Sequence, residues 1–466
     1  MSIYKQSEIR GAAAGELTPE LYRAWGCALG QRVAPMAKFL VGGDGRPSTP
    51  GFLAALRDGL CDAGADVVDL GLLPTPMIRY AQHRLRAAAC AVVTASHHPA
   101  DLNGLWWSIG NAPPTPAEVK SLKKTAGAKP RAANRKRSAP RTLDVSFDYV
   151  ASLQETWVDA MGAQCHVVLD PMHGSLVARA RRYLHAIFPQ CLFTAIHDAP
   201  EAGFGGRTPD CSQPHLLDEL CDAVYRERAH LGVAFDGDGD CVAIVDDQGM
   251  PLSTEETAWL LLQSFGHRLR GERVVCDVRL SDRVRETAQA LGAEPIAAAG
   301  DPAAVAAAMQ QTQALFGAEA GGHYFFRVWE GGNDGLFTAC WLIAYLAQAA
   351  SPLSALRREC PAAYITPDLS VPVALRRQGA VLEEIRGAWA KFLQDSLDGL
   401  RIDTPGGWAL VRTSASEPAM TFRFESVDWH GLNDLVHRFC ESLTGFGDEL
   451  RSRYQAAMGT AGQRET

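Results

Sequence analysis

Three times along this chain an apolar run ends in a turn-rich tract and passes into a helical stretch: at Val41, at Leu169 and at Val278. A strand feeding a helix through a tight turn is half of a βαβ crossover, so the repeated rhythm commits the chain to α/β layers. Candidate strands at 38–41, 67–70, 91–94, 166–169, 231–235 and 273–278 alternate with candidate helices such as 50–64 and 282–291. The 466 residues are more than one hydrophobic core supports, so several domains are expected. The stretch 111–141, rich in Pro, Ala, Lys and Arg, reads as a solvated connector. A second break falls at 361–368, after which short strands resume at 369–375, 408–412 and 420–425. Boundaries near 147, 250 and 364 then divide the chain into domains 1–147, 148–250, 251–363 and 364–466.

Charge and patterning narrow the function classes. A net charge of −8 argues against a nucleic-acid binder, which needs a basic face, but leaves room for a phosphate ligand held by a few local cations. The first eleven residues carry charges and no apolar core, so no signal peptide is expected. The most apolar helical stretch, 338–350, is only 13 residues long and reads as a buried helix, not a membrane span. Twelve cysteines are scattered without a CxxC pair, as in a reducing compartment. The expectation is a cytoplasmic protein, a monomer or weak dimer.

Four tracts carry residues suited to chemistry. Ser96 and His97 follow an apolar strand within Thr94-Ala-Ser-His-His-Pro99, at the strand end where α/β sheets bind ligands; no G-x-S-x-G elbow surrounds the serine. Asp236, Asp238 and Asp240 alternate with glycines between two strands, and carboxylates so crowded repel unless a hard cation joins them. An EF-hand fails, because Cys241 stands where glycine is required and Asp247 where glutamate is. Gly317-Ala-Glu-Ala-Gly-Gly-His323 brings a carboxylate and an imidazole together, a pair able to grip sugar hydroxyls and exchange protons. Arg412, Ser414 and Ser416 lie between two strands in a tract able to cradle phosphate.

In that order and spacing, the four tracts resemble the phosphohexomutase superfamily, in particular its phosphomannomutase/phosphoglucomutase branch. Ile9-Arg-Gly11, Val41-Gly-Gly-Asp-Gly-Arg46 with Ser48 and Pro50, Pro74-Thr-Pro76 and Asp170-Pro-Met-His-Gly174 extend the likeness over nearly the whole chain. The resemblance implies three related α/β mixed-sheet domains and a smaller C-terminal α+β domain around a central cleft, each domain contributing one loop. It implies Ser96 as a phosphoserine that also joins Asp236, Asp238 and Asp240 around Mg²⁺. Arg10 and His97 would line the catalytic site with His323, Glu319, Gly321 and His323 would take the sugar, and Arg412, Ser414 and Ser416 the phosphate that stays. The implied reaction is a hexose 1-phosphate to 6-phosphate mutase acting on mannose or glucose, primed by a hexose 1,6-bisphosphate.

The sequence departs from the family pattern at several of these tracts. Asn103-Gly-Leu-Trp106 has tryptophan where relatives carry lysine, and Cys241 stands where they carry arginine. Gly300-Asp-Pro302 replaces a Gly-His-Ser segment with its nearby lysine, and Gly321 replaces serine. His98 and Ala415 each replace asparagine. Losing one transition-state donor costs about 100- to 1,000-fold in rate, so the departures raise two alternatives: a mutase for another phosphosugar, or a sugar-phosphate-binding or regulatory homologue without turnover. Trp106 and Trp107 read either as core or as a sugar-stacking surface.

Overall fold

The computed structural model describes residues 2–126, 136–329, 332–394, 397–413 and 418–461. The first sheet contains β1 (Ile9–Ala12), β2 (Lys38–Gly43), β3 (Asp66–Leu72), β4 (Ala89–Val93), β5 (Leu102–Ile109) and β6 (Arg141–Thr142), in the spatial order β1-β5-β4-β2-β3-β6. Strand β4, Ala-Cys-Ala-Val-Val, is buried throughout, which is why it reads as an unbroken apolar run and not an alternating one. It pairs parallel with β2, which pairs parallel with β3, while β5 returns antiparallel to β4.

The next two sheets repeat that plan. The second has β7 (His166–Asp170), β8 (Leu192–Ala195), β9 (Leu231–Phe235) and β10 (Val242–Asp246), ordered β10-β9-β7-β8. The third has β11 (Arg273–Asp277), β12 (Glu294–Ala298), β13 (Phe316–Glu319), β14 (His323–Phe326) and β15 (Gly332–Asn333), ordered β12-β11-β13-β14-β15. Each time a central strand has parallel neighbours on both sides, and an antiparallel strand follows the third by a hairpin. The rhythm at Val41, Leu169 and Val278 marks the central strand of each unit.

The fourth sheet is antiparallel: β16 (Tyr364–Ile365), β17 (Leu369–Pro372), β18 (Leu393–Gln394), β19 (Leu400–Thr404), β20 (Gly407–Thr413) and β21 (Ala419–Ser426). The strand expected at 369–375 stops at Pro372, because the chain turns there into the helix Leu375–Ala388. The stretch 111–141 is more than a solvated connector. Its helix Pro116–Ala126 buries Val119 and Leu122 in the first domain's core, and residues 127–135 lie outside the described residues.

One apolar core runs through the first three domains, from Leu40 and Val92 through Val167 and Phe235 to Phe316 and Trp341. The apolar stretch near 338–350 is the helix Gly335–Gln348 in that core. No helix among the described residues is long and apolar enough to cross a membrane. The fourth domain has its own core and meets the third mainly through charges. Arg423 Nη2 lies 2.8 Å from Glu255, Arg401 Nη2 lies 2.8 Å from Asp282, and the Asp282 N–H donates to Glu425 at 3.0 Å. Among the described residues, Val278, Trp408 and Leu410, with Ile365 packed against them, add a small apolar cluster there.

Candidate active site

Three of the four expected tracts occupy the same place in their domains, the hairpin between the third strand and the antiparallel fourth. Residues 94–101 link β4 to β5, residues 236–241 link β9 to β10, and residues 320–322 link β13 to β14. The shared topology brings these hairpins together. Ser96 has φ +48°, a strained backbone for a residue with a side chain, and its Oγ donates to Asp236 Oδ2 at 2.8 Å. The contact needs close backbone approach: a Cβ on Gly237 would lie 2.5 Å from the Ser96 carbonyl oxygen.

The serine hairpin is clamped from below. Arg46, without exposed side-chain surface, donates to the carbonyls of Ser96 at 2.6 Å, His98 at 2.7 Å, Pro99 at 2.5 Å and Leu102 at 3.1 Å. Its Nε pairs with buried Asp44 at 2.9 Å, and Asp44 also accepts from the Thr94 hydroxyl at 2.8 Å. Five donors in a planar fork suit a guanidinium to bracing several carbonyls at once. Only the surrounding resemblance marked this residue in the sequence.

The three aspartates place one carboxylate oxygen each within 4.8 Å of one another. Asp236 Oδ1 accepts the N–H groups of Gly239, Asp240 and Cys241. Asp238 Oδ2 accepts the hydroxyls of Thr75 at 2.6 Å and Thr94 at 3.1 Å, which explains the Pro-Thr-Pro tract at 74–76. Asp238 Oδ1 is buried without a hydrogen-bond donor, and Asp240 Oδ1 has only the His323 imidazole, 3.2 Å away. Burial, then Asp240, pushes the Asp236 carboxyl up to about 6; burial, then Asp240 and Asp236, pushes Asp238 well above the carboxylate range. Three crowded carboxylates, with Asp238 Oδ1 left orphaned, fit a small hard cation such as Mg²⁺.

The third hairpin joins the second through His323. Its Nδ1 lies 2.7 Å from Glu319 Oε2 and its Nε2 lies 3.2 Å from Asp240 Oδ1. Burial opposes charge on this imidazole, yet Asp240 and Glu319 raise its pKa well above the ordinary value. Glu319 in turn pairs with Arg279, a residue the sequence reading passed over, which also meets Asp277 at 2.7 Å and Asp368 at 3.3 Å. Gly321 donates its N–H to Glu319 at 2.8 Å, and its carbonyl accepts from Cys241 Sγ at 2.8 Å. Cys241 is therefore a buried tie between two hairpins, not a group facing the cleft.

Arg10 lies at the mouth, with Nη1 2.7 Å from His98 Nδ1 and Nη2 2.6 Å from Glu8. His97 Nδ1 is 3.2 Å from Ser96 Oγ, and burial pushes the His97 imidazole down to about 4, so it is neutral near pH 7. A cleft of about 1080 Å³ runs from Arg10 and His98 past Lys5 to Gly300, Asp301 and Arg412. Arg412 is engaged there: its Nη2 lies 2.6 Å from Asp398 and donates to the Gly300 carbonyl at 3.0 Å. Ser414 and Ser416 lie outside the described residues. The two tryptophans divide between faces of β5. Trp107 is buried against the helices of the first domain, and Trp106 sits half-buried on the opposite face beneath Arg79.

Family models described as phosphoglucomutase/phosphomannomutase alpha/beta/alpha domains I, II and III match residues 1–127, 147–249 and 254–364. A phosphomannomutase/phosphoglucomutase of Pseudomonas aeruginosa is 28% identical, over 91% of this chain and 92% of its own length. A probable phosphoglucosamine mutase of Methanothermobacter thermautotrophicus is 31% identical, over 91% and 93% respectively. A solved phosphoglucomutase/phosphomannomutase family protein from Burkholderia thailandensis superposes with a TM-score of 0.83 at 28% identity, covering 98% of this chain and 97% of its own.

Proposed function

The chain belongs to the phosphoglucomutase/phosphomannomutase family of phosphohexomutases, and on that premise we propose that it interconverts hexose 1-phosphate and hexose 6-phosphate, of mannose or glucose, through phosphorylated Ser96. One observation carries the reading. Ser96 Oγ donates to Asp236, so the nucleophile of one domain sits on the carboxylate cluster of the next.

Asp236, Asp238 and Asp240, with an oxygen of phosphorylated Ser96, would hold Mg²⁺. Bound there, the ion supplies positive charge that offsets the phosphoryl oxygens. In the first half-reaction the free sugar hydroxyl attacks phosphorus, its O–P bond forms as the Oγ–P bond breaks, and the hydroxyl proton ends on Ser96 Oγ. Neutral His97, 3.2 Å from that oxygen, is the base that carries the proton. Asp236 Oδ2, 2.8 Å from that oxygen, then receives the regenerated hydroxyl. The resulting hexose 1,6-bisphosphate turns over and returns its other phosphate to Ser96, which is also why added bisphosphate primes the enzyme.

Glu319 grips sugar hydroxyls, and His323 acts as a fixed cation between Glu319 and Asp240 more than as a proton carrier. Gly321 lends its backbone to that hairpin, while Arg10 at the mouth and Arg412, with Ser414 and Ser416, take the phosphate not in transfer. The four units 1–147, 148–250, 251–363 and 364–466 contribute in that order.

A coupled assay with mannose 1-phosphate and glucose 1-phosphate, primed with the bisphosphate, tests the reading. Turnover in Mg²⁺ should vanish with chelator and in Ser96→Ala, and intact mass should show a phosphate on Ser96 that substrate discharges. A second reading, sugar-phosphate binding without conversion, draws on Cys241 and Trp106, which leave two cation positions of the family uncharged. It predicts calorimetric binding of hexose phosphates with no product.

A further inference from the structure

Away from the cleft, a second cavity of about 610 Å³ opens between the helix Thr75–Arg84, strand β5 and Val328, Trp329, Gly332 and Asn333 of the third domain. Its floor is the Arg79 guanidinium, whose carbon lies 5.5 Å from the centre of the Trp106 ring. Arg79 Nη1 donates to Asn333 Oδ1, while its Nε and Nη2 donors meet no acceptor among the described residues. Gln82, only 3% exposed, lines the same cavity; its Oε1 accepts from the Ser108 hydroxyl at 2.6 Å, and its Nε2 has no partner. At the rim stand exposed Arg84 and Arg86, neither in an ion pair among the described residues, with Glu155 the one acid among the described lining residues.

The buried Gln82 amide with an idle donor is costly to leave unanswered. Arg79 is in reach of Asp240, Asp334 and Asp238, while the exposed Arg84 and Arg86 at the rim outnumber Glu155, the one acid lining the cavity among the described residues, and set the sign of what answers them. From this cluster we infer that the cavity is a binding site for a phosphate dianion, free or carried on a small ester, separate from the catalytic cleft. Guanidinium forks recognise such groups through paired charge-assisted hydrogen bonds.

The site reaches the catalytic loops by one route. Asn333, which accepts from Arg79, donates its Nδ2 to Asp240 Oδ2 at 2.8 Å. An anion that draws Arg79 toward itself loosens Asn333, and with it Asp240. This link rests on reading Asp240 as a Mg²⁺ ligand; the anion site does not.

Calorimetry in chelator, with inorganic phosphate and with ADP as probes, separates the two claims. We expect a saturable site, besides any phosphate binding in the cleft, that is weakened about tenfold, or about 1.4 kcal/mol, in Arg84→Ala/Arg86→Ala and unchanged in Arg412→Ala. The tighter probe tells whether free phosphate or an ester is the occupant. Trp106→Phe should remove any fluorescence quenching that the probe causes. Binding that follows Arg412, or no saturable binding by either probe, overturns the site. If binding is found, its saturation should shift the Mg²⁺ affinity of the wild type and not that of Asn333→Ala; an equal shift in both overturns the link alone.

Discussion

Arg46 and His98 show how much of this site rests on single side chains. Arg46 holds four carbonyls of the serine hairpin and balances Asp44 in a pair with no exposed surface. Removing one partner of such a pair costs about 3–5 kcal/mol, so Arg46→Ala should lower Tm severely. Arg46→Lys keeps the charge but not the fork. It should fold with a modest loss in Tm while kcat falls about 100-fold, the usual scale for an ångström of misplacement. Wild-type turnover in that variant would show that the brace is unnecessary. His98 makes a different prediction. Burial, then Arg10, pushes its imidazole down to about 2, below the unfolded value of about 6.5. The folded protein binds fewer protons there than the unfolded chain. The stability this represents is therefore full above pH 6.5 and is lost as pH falls toward 2. Between pH 7.5 and 5.5 it is about 1 kcal/mol. Urea midpoints at those two pH values should separate in the wild type and by less in His98→Asn.

Three hairpins in one topological position make the element the unit in which chemistry is assembled. That position was legible for a physical reason. Hairpins are short, so Ser96, the aspartate triplet and the Glu319–His323 pair each fall within a few residues, and crowded carboxylates mean little without a cation. The braces were not legible in the same way. Asp398 meets Arg412 across 14 residues, Arg279 meets Glu319 across 40, and Thr75 meets Asp238 across 163, with no period or spacing to announce them. The same blindness split the pair Trp106 and Trp107, since only the pleat of β5 decides which face each takes. The expected connector failed for a related reason: two apolar residues one turn apart, Val119 and Leu122, suffice to dock a basic helix. The metal hairpin carries two predictions. Asp238→Asn removes one of three repelling carboxylates, so Tm without metal should rise. The added stability that Mg²⁺ gives the wild type, RT ln(1 + [L]/Kd), should shrink in the variant. A gain from Mg²⁺ equal to that of the wild type would mean the triplet is only a turn. Gly237→Ala places a methyl 2.5 Å from the Ser96 carbonyl oxygen. It should push the two hairpins apart and abolish turnover while circular dichroism stays unchanged.

At the scale of the molecule, the first three domains share one core and the fourth is held largely by charge. An interface of ion pairs with a small apolar patch permits relative motion that a shared core does not. The proposed chemistry would need that motion, because a bisphosphate would have to turn around without escaping to water. Arg412 already contacts the Gly300 carbonyl of the third domain and Asp398 of its own. On the proposed reading, a phosphate arriving in the cleft would compete with Asp398 for a guanidinium already held at the domain boundary. Binding would exchange one anion for another, and closure would draw its stability from the substrate. Arg412→Ala should raise KM at least tenfold and leak more bisphosphate into solution. Asp398→Asn, which keeps shape and removes the competing charge, should lower KM instead. Small-angle scattering with and without a hexose phosphate should show compaction in the wild type and none in Arg412→Ala. Equal scattering in both states of the wild type, together with no extra bisphosphate release from the variant, would make the fourth domain a fixed wall and leave the turn-around to the cleft alone.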